Sequence, residues 1–387
     1  MFVAELIFWV LIGIIFYSYI GYGLMLWVLI QIKPIFNQKQ KNTSTETPDV
    51  TLIIPAYNEK YVIDIKMQNC LALNYPKEKL KITWITDGSD DGSNLYIQQK
   101  YPDATVWHQQ ERKGKSAAVN RALYLATTEI IIFCDANTIL NSDSIKNIVS
   151  YFNNTTVGAV AGEKRVLSKS HVAGAGESFY WQYESWLKKL NSDFYTTVGA
   201  VGELFALKKS LATPIPEDTI LDDFVLSMQI ADNGYKIAYA PNAYAQEAPS
   251  ENETEEMKRK IRIAAGAFQC LFRYSNWLNI FKHPLLSFQY FSHKVLRWSV
   301  VPLCFIILFV INIYLIFFNP LLIYKVIFFL QVLFYLISLI GIYLKHIPKI
   351  LKLPTYIVLM NSAMIKGFYR YIANKQSAVW EKAKREI

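Results

Sequence analysis

The chain has 387 residues, 40 Lys+Arg against 31 Asp+Glu for a net charge of +9, 52% hydrophobic residues and 18% charged ones. A wholly soluble chain carries about 25% charged residues, so this composition reads as a soluble part joined to membrane-grade sequence. Four widely spaced cysteines exclude a secreted disulfide scaffold, and the apolar and aromatic load excludes disorder.

Residues 2–32 carry a single charged side chain, Glu5, and exceed the roughly 20 apolar residues that cross a bilayer. No basic residue precedes the stretch and no small-residue cleavage site ends it, so it reads as an anchor over 1–32 rather than a signal peptide. Lys33, Lys39 and Lys41 follow it, which places the N-terminus outside and the chain from residue 33 in the cytoplasm. A polar linker over 42–49 leads into a cytoplasmic domain over 45–275.

Within that domain strands and helices alternate. Strands are expected at 50–55, 81–86, 104–108, 129–134 and 157–162, and helices at 61–73, 94–100, 116–126 (with Ser116 near the cap) and 142–152. This rhythm predicts an α/β fold with a parallel, doubly wound sheet and ligands beyond the C-terminal strand ends. Residues 278–297 show apolar positions at helical spacing between basic ones and read as an interfacial helix. Two spans are expected within 298–345, joined by Asn319-Pro320. Basic residues flank and enter the stretch 353–372, so 353–387 reads as an interfacial or re-entrant helix followed by a cytoplasmic tail. The four cysteines stand at no metal or redox spacing and are expected to be reduced core residues.

The residues just past the strand ends carry the chemistry. Pro55, Ala56, Tyr57, Asn58 and Glu59 follow the first strand, Asp87-Gly-Ser-Asp-Asp-Gly92 the second, and Asp135-Ala-Asn137 the fourth. No Gly-x-Gly-x-x-Gly follows the first strand and no complete Gly-x-x-x-x-Gly-Lys-Ser/Thr loop exists, which disfavours a dinucleotide dehydrogenase and a P-loop ATPase. Carboxylates and amides at one sheet edge suit Mg²⁺ or Mn²⁺ shared with a diphosphate.

The runs Val50-Thr-Leu-Ile-Ile-Pro-Ala-Tyr-Asn-Glu59, Asp87–Gly92, Arg112-Lys-Gly-Lys-Ser-Ala-Ala-Val-Asn-Arg121, Phe133-Cys-Asp-Ala-Asn137 and Ile220-Leu-Asp-Asp-Phe224 together resemble inverting family-2 glycosyltransferases. An anchor, a cytoplasmic domain and C-terminal spans resemble the membrane branch of that family, which includes cellulose, hyaluronan and poly-N-acetylglucosamine synthases. The resemblance implies a GT-A-like nucleotide-sugar domain flanked by N- and C-terminal transmembrane helices at the plasma (inner) membrane. It implies a nucleotide-sugar donor, UDP-linked in most relatives, and a glycan or polyprenyl-lipid acceptor. Asp87 then matches the residue that grips the nucleotide, with Pro55, Tyr57 and Glu59 beside it, and Lys113 and Lys115 match a basic segment near the donor. Asp135 and Asn137 match a metal motif, both side chains aimed one way if the chain is extended there, with Asn137 departing from the usual second Asp. Asp223 matches the general base, Asp222 being its neighbour and exchangeable with it.

Arg259-Lys-Ile-Arg-Ile263 lies where processive relatives carry Gln-x-x-Arg-Trp; Arg262 is kept for the departing diphosphate, while Ile263 lacks the ring that stacks under an acceptor sugar. That departure leaves single addition and processive synthesis both open, and a non-catalytic sugar-binding scaffold beside them. The aromatic cluster with Trp181 and Glu184 falls on the acceptor side, although such spacing also fills cores, and Trp380 matches a C-terminal motif at the site mouth. The surplus positive charge sits in the loops at 33–41 and 345–352, in 258–262 and in the tail. Membrane lipid, and not nucleic acid, is therefore the expected partner, with a homo-oligomer or an export partner left open.

Overall fold

The computed structural model describes residues 1–32, 47–166, 172–248, 252–343 and 349–377. Trp380, the basic loop at 33–41 and residues 345–348 lie outside the described residues.

The N-terminal segment is one continuous helix, α1 (Phe2–Ile32), with a π-turn over Tyr17–Gly21. The domain that follows contains, in order, β1 (Val50–Ala56), α2 (Ile63–Leu71), β2 (Leu80–Asp87), α3 (Ser93–Lys100), β3 (Thr105–Gln109), α4 (Lys115–Leu125), β4 (Ile130–Phe133), β5 (Ile139–Leu140), α5 (Ser144–Val149) and β6 (Val157–Val166). It continues with α6 (Val172–Phe194), β7 (Phe205–Lys208), α7 (Asp222–Asp232), β8 (Lys236–Glu247) and α8 (Glu253–Arg273). Then come α9 (Pro284–Phe318), α10 (Leu322–Tyr343) and α11 (Lys349–Ile372).

The eight strands form one sheet in the order β3-β2-β1-β4-β7-β6-β8-β5. Strands β3, β2, β1 and β4 are parallel, with Ile53 opposite both Thr83 and Phe133. The sheet is not parallel throughout: β7 runs antiparallel to β4 and β6, and β5 antiparallel to β8. Alternating elements announce a βαβ sheet, but a four-residue apolar strand such as β7 carries no mark of its direction.

Every residue of β1 is buried, because successive side chains feed opposite faces that are both covered. Leu52 and Ile54 pack with Trp84, Ile97, Ile132 and Ile145 on one face. Ile53 packs with Val119, Phe133, Leu207 and Phe224 on the other. Trp277, Leu286, Tyr290 and Val295 join that second cluster, so the first turns of α9 are part of the domain's core before the helix leaves it. The free cysteines Cys70, Cys134, Cys270 and Cys304 are all buried. Ser116 is no cap: Gly114 occupies that position, and the Ser116 hydroxyl donates to the Thr219 carbonyl at 2.7 Å.

Among the described residues, three helices are long and apolar enough to cross a membrane: α1, α9 and α10. Phe8 and Leu11 of α1 pack on Cys304, Leu308 and Leu315 of α9. The lone acid Glu5 accepts a hydrogen bond from Asn319 in the α9–α10 turn. Further along α1, Tyr22 and Leu26 pack on Leu187 and Leu190 of α6. The crossing there is close, since a Cβ on Gly23 would lie 2.4 Å from the Trp186 ring.

Candidate active site

The site lies where the parallel strands end. Asp87 closes β2, and its buried carboxylate accepts backbone N–H bonds from Lys113 at 3.0 Å and Gly114 at 2.6 Å. The 112–114 loop can come this close because Gly88 has no side chain: a Cβ there would meet Arg112 carbons within 2.5–2.8 Å, at a φ of +68°. Gly88→Ala is therefore expected to push the loop off Asp87 and weaken donor binding at least tenfold, as read by nucleotide-sugar titration; roughly 1.4 kcal/mol of lost contact suffices for that. The Arg112 guanidinium in turn lies 3.6 Å above the Tyr57 ring. Pro55, Tyr57, Asp87, Arg112 and Lys115 line a cleft of about 240 Å³. Glu59 is buried but does not line it, and the Lys113 side chain turns outward to Glu111 at 3.5 Å. Lys113 meets this cleft through its backbone N–H, which bonds Asp87.

Lys115, at the first turn of α4, is the centre of the charged part. Its ammonium lies 2.9 Å from Asp135 Oδ1 and 3.9 Å from Asp222 Oδ2. Burial works against that charge, but Asp135, Asp222 and Asp223 together raise its pKa above the ordinary lysine value. Asp222 and Asp223 occupy the first turn of α7, where the helix dipole favours negative charge. Gly202 faces both groups: a Cβ there would stand 3.2 Å from Lys115 Nζ and 3.6 Å from Asp223 Oδ2. Enclosure by protein, then the neighbouring Asp222 charge, push the Asp223 carboxyl up to about 7, with Glu203 adding and Lys115 opposing. A carboxyl held there is poised to exchange a proton near neutral pH.

The stretch after β4 is not extended. Residues 136–137 form a turn closed by Thr138, whose N–H and hydroxyl donate to the Asp135 carbonyl at 3.3 and 2.8 Å. Extended-chain alternation therefore does not set where Asn137 points. The fully buried Lys66 holds this turn from beneath, donating to the Thr138 carbonyl at 2.8 Å.

Asp135 converges with two acids that sequence reasoning missed. Carboxylate oxygens of Asp135, Glu203 and Glu247 all lie within 4.8 Å of one another. An all-oxygen set of this kind fits Mg²⁺ or Mn²⁺. Here the chain's own cations neutralise it: Lys164, fully buried, bonds both Glu203 and Glu247, and Arg259 lies 3.2 Å from Glu203 and 3.8 Å from Glu247. Burial alone would raise the Glu203 pKa, but Lys164 and Arg259 hold it below the usual carboxylate range. The one available signal was that Glu203 is the sole acid between Asp193 and Glu217, set in an apolar run.

Arg262, on α8, joins the same field. Burial and the Arg259 charge lower its pKa, while Asp222, Asp135 and Asp223 act the other way. Trp181 borders the cluster, with the ammoniums of Lys164, Lys188 and Lys260 at 5.1, 5.6 and 5.6 Å from its ring. Glu184 points elsewhere, to Lys294 and, at 3.2 Å, to both Arg297 and His293 of α9. It ties α6 to a helix that leaves the domain.

A family model described as glycosyltransferase like family 2 matches residues 48–266, the segment that carries all these carboxylates. The chain belongs to that family. This family-2 glycosyltransferase is 25% identical over 284 residues to a poly-beta-1,6-N-acetyl-D-glucosamine synthase of Staphylococcus aureus, covering 71% of the chain and 68% of the relative. A synthase of the same name from Staphylococcus epidermidis is 24% identical over 301 residues, covering 75% and 72%. In fold the glycosyltransferase is similar to a mannosyltransferase from Pyrobaculum calidifontis solved with GDP-Man and Mn²⁺, with a TM-score of 0.75 and 23% identity over 96% of this chain and 100% of the other. The GT-A-like α/β domain and the family resemblance are thereby established.

Proposed function

We propose that this glycosyltransferase transfers a sugar with inversion from a UDP-linked donor to a glycan or polyprenyl-lipid acceptor, in polysaccharide biosynthesis at the cytoplasmic face of the plasma membrane. The observation that carries this reading is the convergence of Lys115 on Asp135 and Asp222, with Asp223 beside them across Gly202. The nucleotide sits in the cleft over Asp87 and Tyr57, and Lys115 and Arg262 face its diphosphate. Asp223 takes the proton of the acceptor hydroxyl as that oxygen attacks the anomeric carbon opposite the departing diphosphate. Asp135 and Asn137 would hold the divalent ion, which supplies positive charge to the leaving diphosphate, beside the Glu203 and Glu247 carboxylates that Lys164 and Arg259 already neutralise.

The relatives' names make UDP-N-acetylglucosamine the first donor to test. It is expected to raise the melting temperature of the purified chain in proportion to ln(1 + [L]/Kd), and more strongly with Mn²⁺ than without. UDP-glucose, UDP-galactose, UDP-glucuronate and GDP-mannose serve as comparisons; no shift with any of them, with or without metal, would sink the reading. Ile263 in place of the acceptor-stacking Trp favours single or short additions over a processive synthase, and product sizing with labelled donor separates a ladder from one shifted species.

A further inference from the structure

A second cleft, of about 480 Å³, lies away from the donor site between α1, α9 and α11. Its wall includes Tyr19, Lys294, Arg297, Trp298, Met360 and Asn361. We propose that this cleft binds the phosphate head group of a membrane lipid.

The charge is the first reason. Glu184 is the acid that Lys294 and Arg297 share: Lys294 bonds its Oε1, and the Arg297 guanidinium lies 3.2 Å from its Oε2. Among the described residues, the cleft wall thus sets two cations against the one carboxylate of Glu184. The guanidinium also lies near two rings, 5.7 Å from Tyr19 and 5.6 Å from Tyr183. A planar guanidinium beside an ammonium matches phosphate oxygens better than it matches neutral hydroxyls.

The lining and its position are the second. Asn361 donates to the Tyr19 hydroxyl at 2.9 Å, which gives the cleft a polar end, while Trp298 and Met360 give it an apolar one. Trp298 begins the uncharged run to Phe318, and Tyr19 belongs to α1, so the cleft opens where two candidate spans meet the catalytic domain. Basic pockets between spanning helices at that level accommodate lipid head groups, with the chains lying along the helices outside. The Trp298 ring also stands 5.4 Å from Phe224, the residue after Asp223, so an occupant lies beside the helix that carries the base. That the occupant is the sugar acceptor rests on the glycosyltransferase reading above; the binding itself does not.

The test uses the full chain in detergent and three probes: farnesyl phosphate, farnesol and inorganic phosphate. Farnesyl phosphate is expected to raise the melting temperature at concentrations about tenfold below either of the others. The shift should vanish in Met360→Trp, which fills the cleft, and weaken about tenfold in Arg297→Gln, where Lys294 still neutralises Glu184. An equal shift with inorganic phosphate would show a free-anion site, and an equal shift with farnesol a plain apolar groove; either overturns the proposal. So does a farnesyl phosphate shift that survives unchanged in Arg297→Gln, or no shift at all. A nucleotide-sugar titration of the same preparation reads the donor site separately, so its failure and the failure of the lipid site are distinguishable.

Discussion

Asp223→Asn is expected to slow sugar transfer by about 10²–10⁴-fold, the usual contribution of a positioned general base. Donor binding should survive, because the nucleotide cleft is built on Asp87, Tyr57 and Arg112 and not on α7. Single-turnover transfer with saturating donor and acceptor is the measurement. A variant that transfers as fast as the unaltered chain returns Asp223 to capping α7. The pH dependence gives an independent check. The Asp223 carboxyl is raised to about 7 by enclosure and by Asp222. A raised carboxyl keeps its proton in the folded chain where the unfolded chain has lost it, so its contribution to stability falls as pH rises from the usual carboxylate range to about 7. The active base form grows over the same window, so the transfer rate should climb through pH of about 7. Asp222→Asn removes the neighbouring negative charge and should move that rising limb to lower pH.

Lys164→Met should have the largest effect on stability. The ammonium is fully buried and bonds Glu203 and Glu247, which the domain also encloses. Removing one member of a buried ionic group leaves uncompensated charge and costs about 3–5 kcal/mol. Arg259, at 3.2 Å from Glu203, moderates the loss without replacing a cation placed between both acids. Thermal or denaturant unfolding in detergent measures it. Adding Glu203→Gln to Lys164→Met should recover part of the loss, because it removes a charge the first change orphaned; the double variant would then be more stable than the sum of the two single changes. Strict additivity would mean that the two side chains do not act as a pair.

Much of the site was legible in the chain because its residues lie in short runs next to buried strands. An apolar stretch such as Val50–Pro55 has one stable place, inside a sheet, and the polar residues that follow it must emerge at the sheet's edge. Asp87 and Asp135 could be placed on that edge from sequence order and the Asp222–Asp223 pair by resemblance to the family, and the structure brings Asp135, Asp222 and Asp223 around Lys115. The candidate spans were legible for a similar reason, since some twenty uncharged residues in a row need no partner to identify them.

Contacts between segments distant in sequence were not legible. Glu203 and Glu247 reach Asp135 from β-strand ends some seventy and more than a hundred residues away; nothing in either local sequence marks it as a neighbour of a metal motif. The Lys113 side chain lies toward Glu111 while its N–H bonds Asp87, because the direction of a loop residue depends on the glycine turns around it. Glu184 sits in an aromatic cluster that suggested sugar stacking, yet its charge is spent on α9. The direction of β7 and the turn at Asp135 are likewise set by what packs against them.

By itself, then, the sequence determined the class of the protein: a nucleotide-sugar domain of family-2 type, and segments at both ends too apolar to remain in water. Burial and local spacing are properties of contiguous residues, and they suffice for the strands and the apolar segments; the family rests on the resemblance of the motif runs. Only the tertiary structure decided which acids meet, which cations hold them, and how far Asp223 is pushed from the usual carboxylate range. Those properties depend on distances across the fold, and electrostatic coupling falls with distance in space, not along the chain.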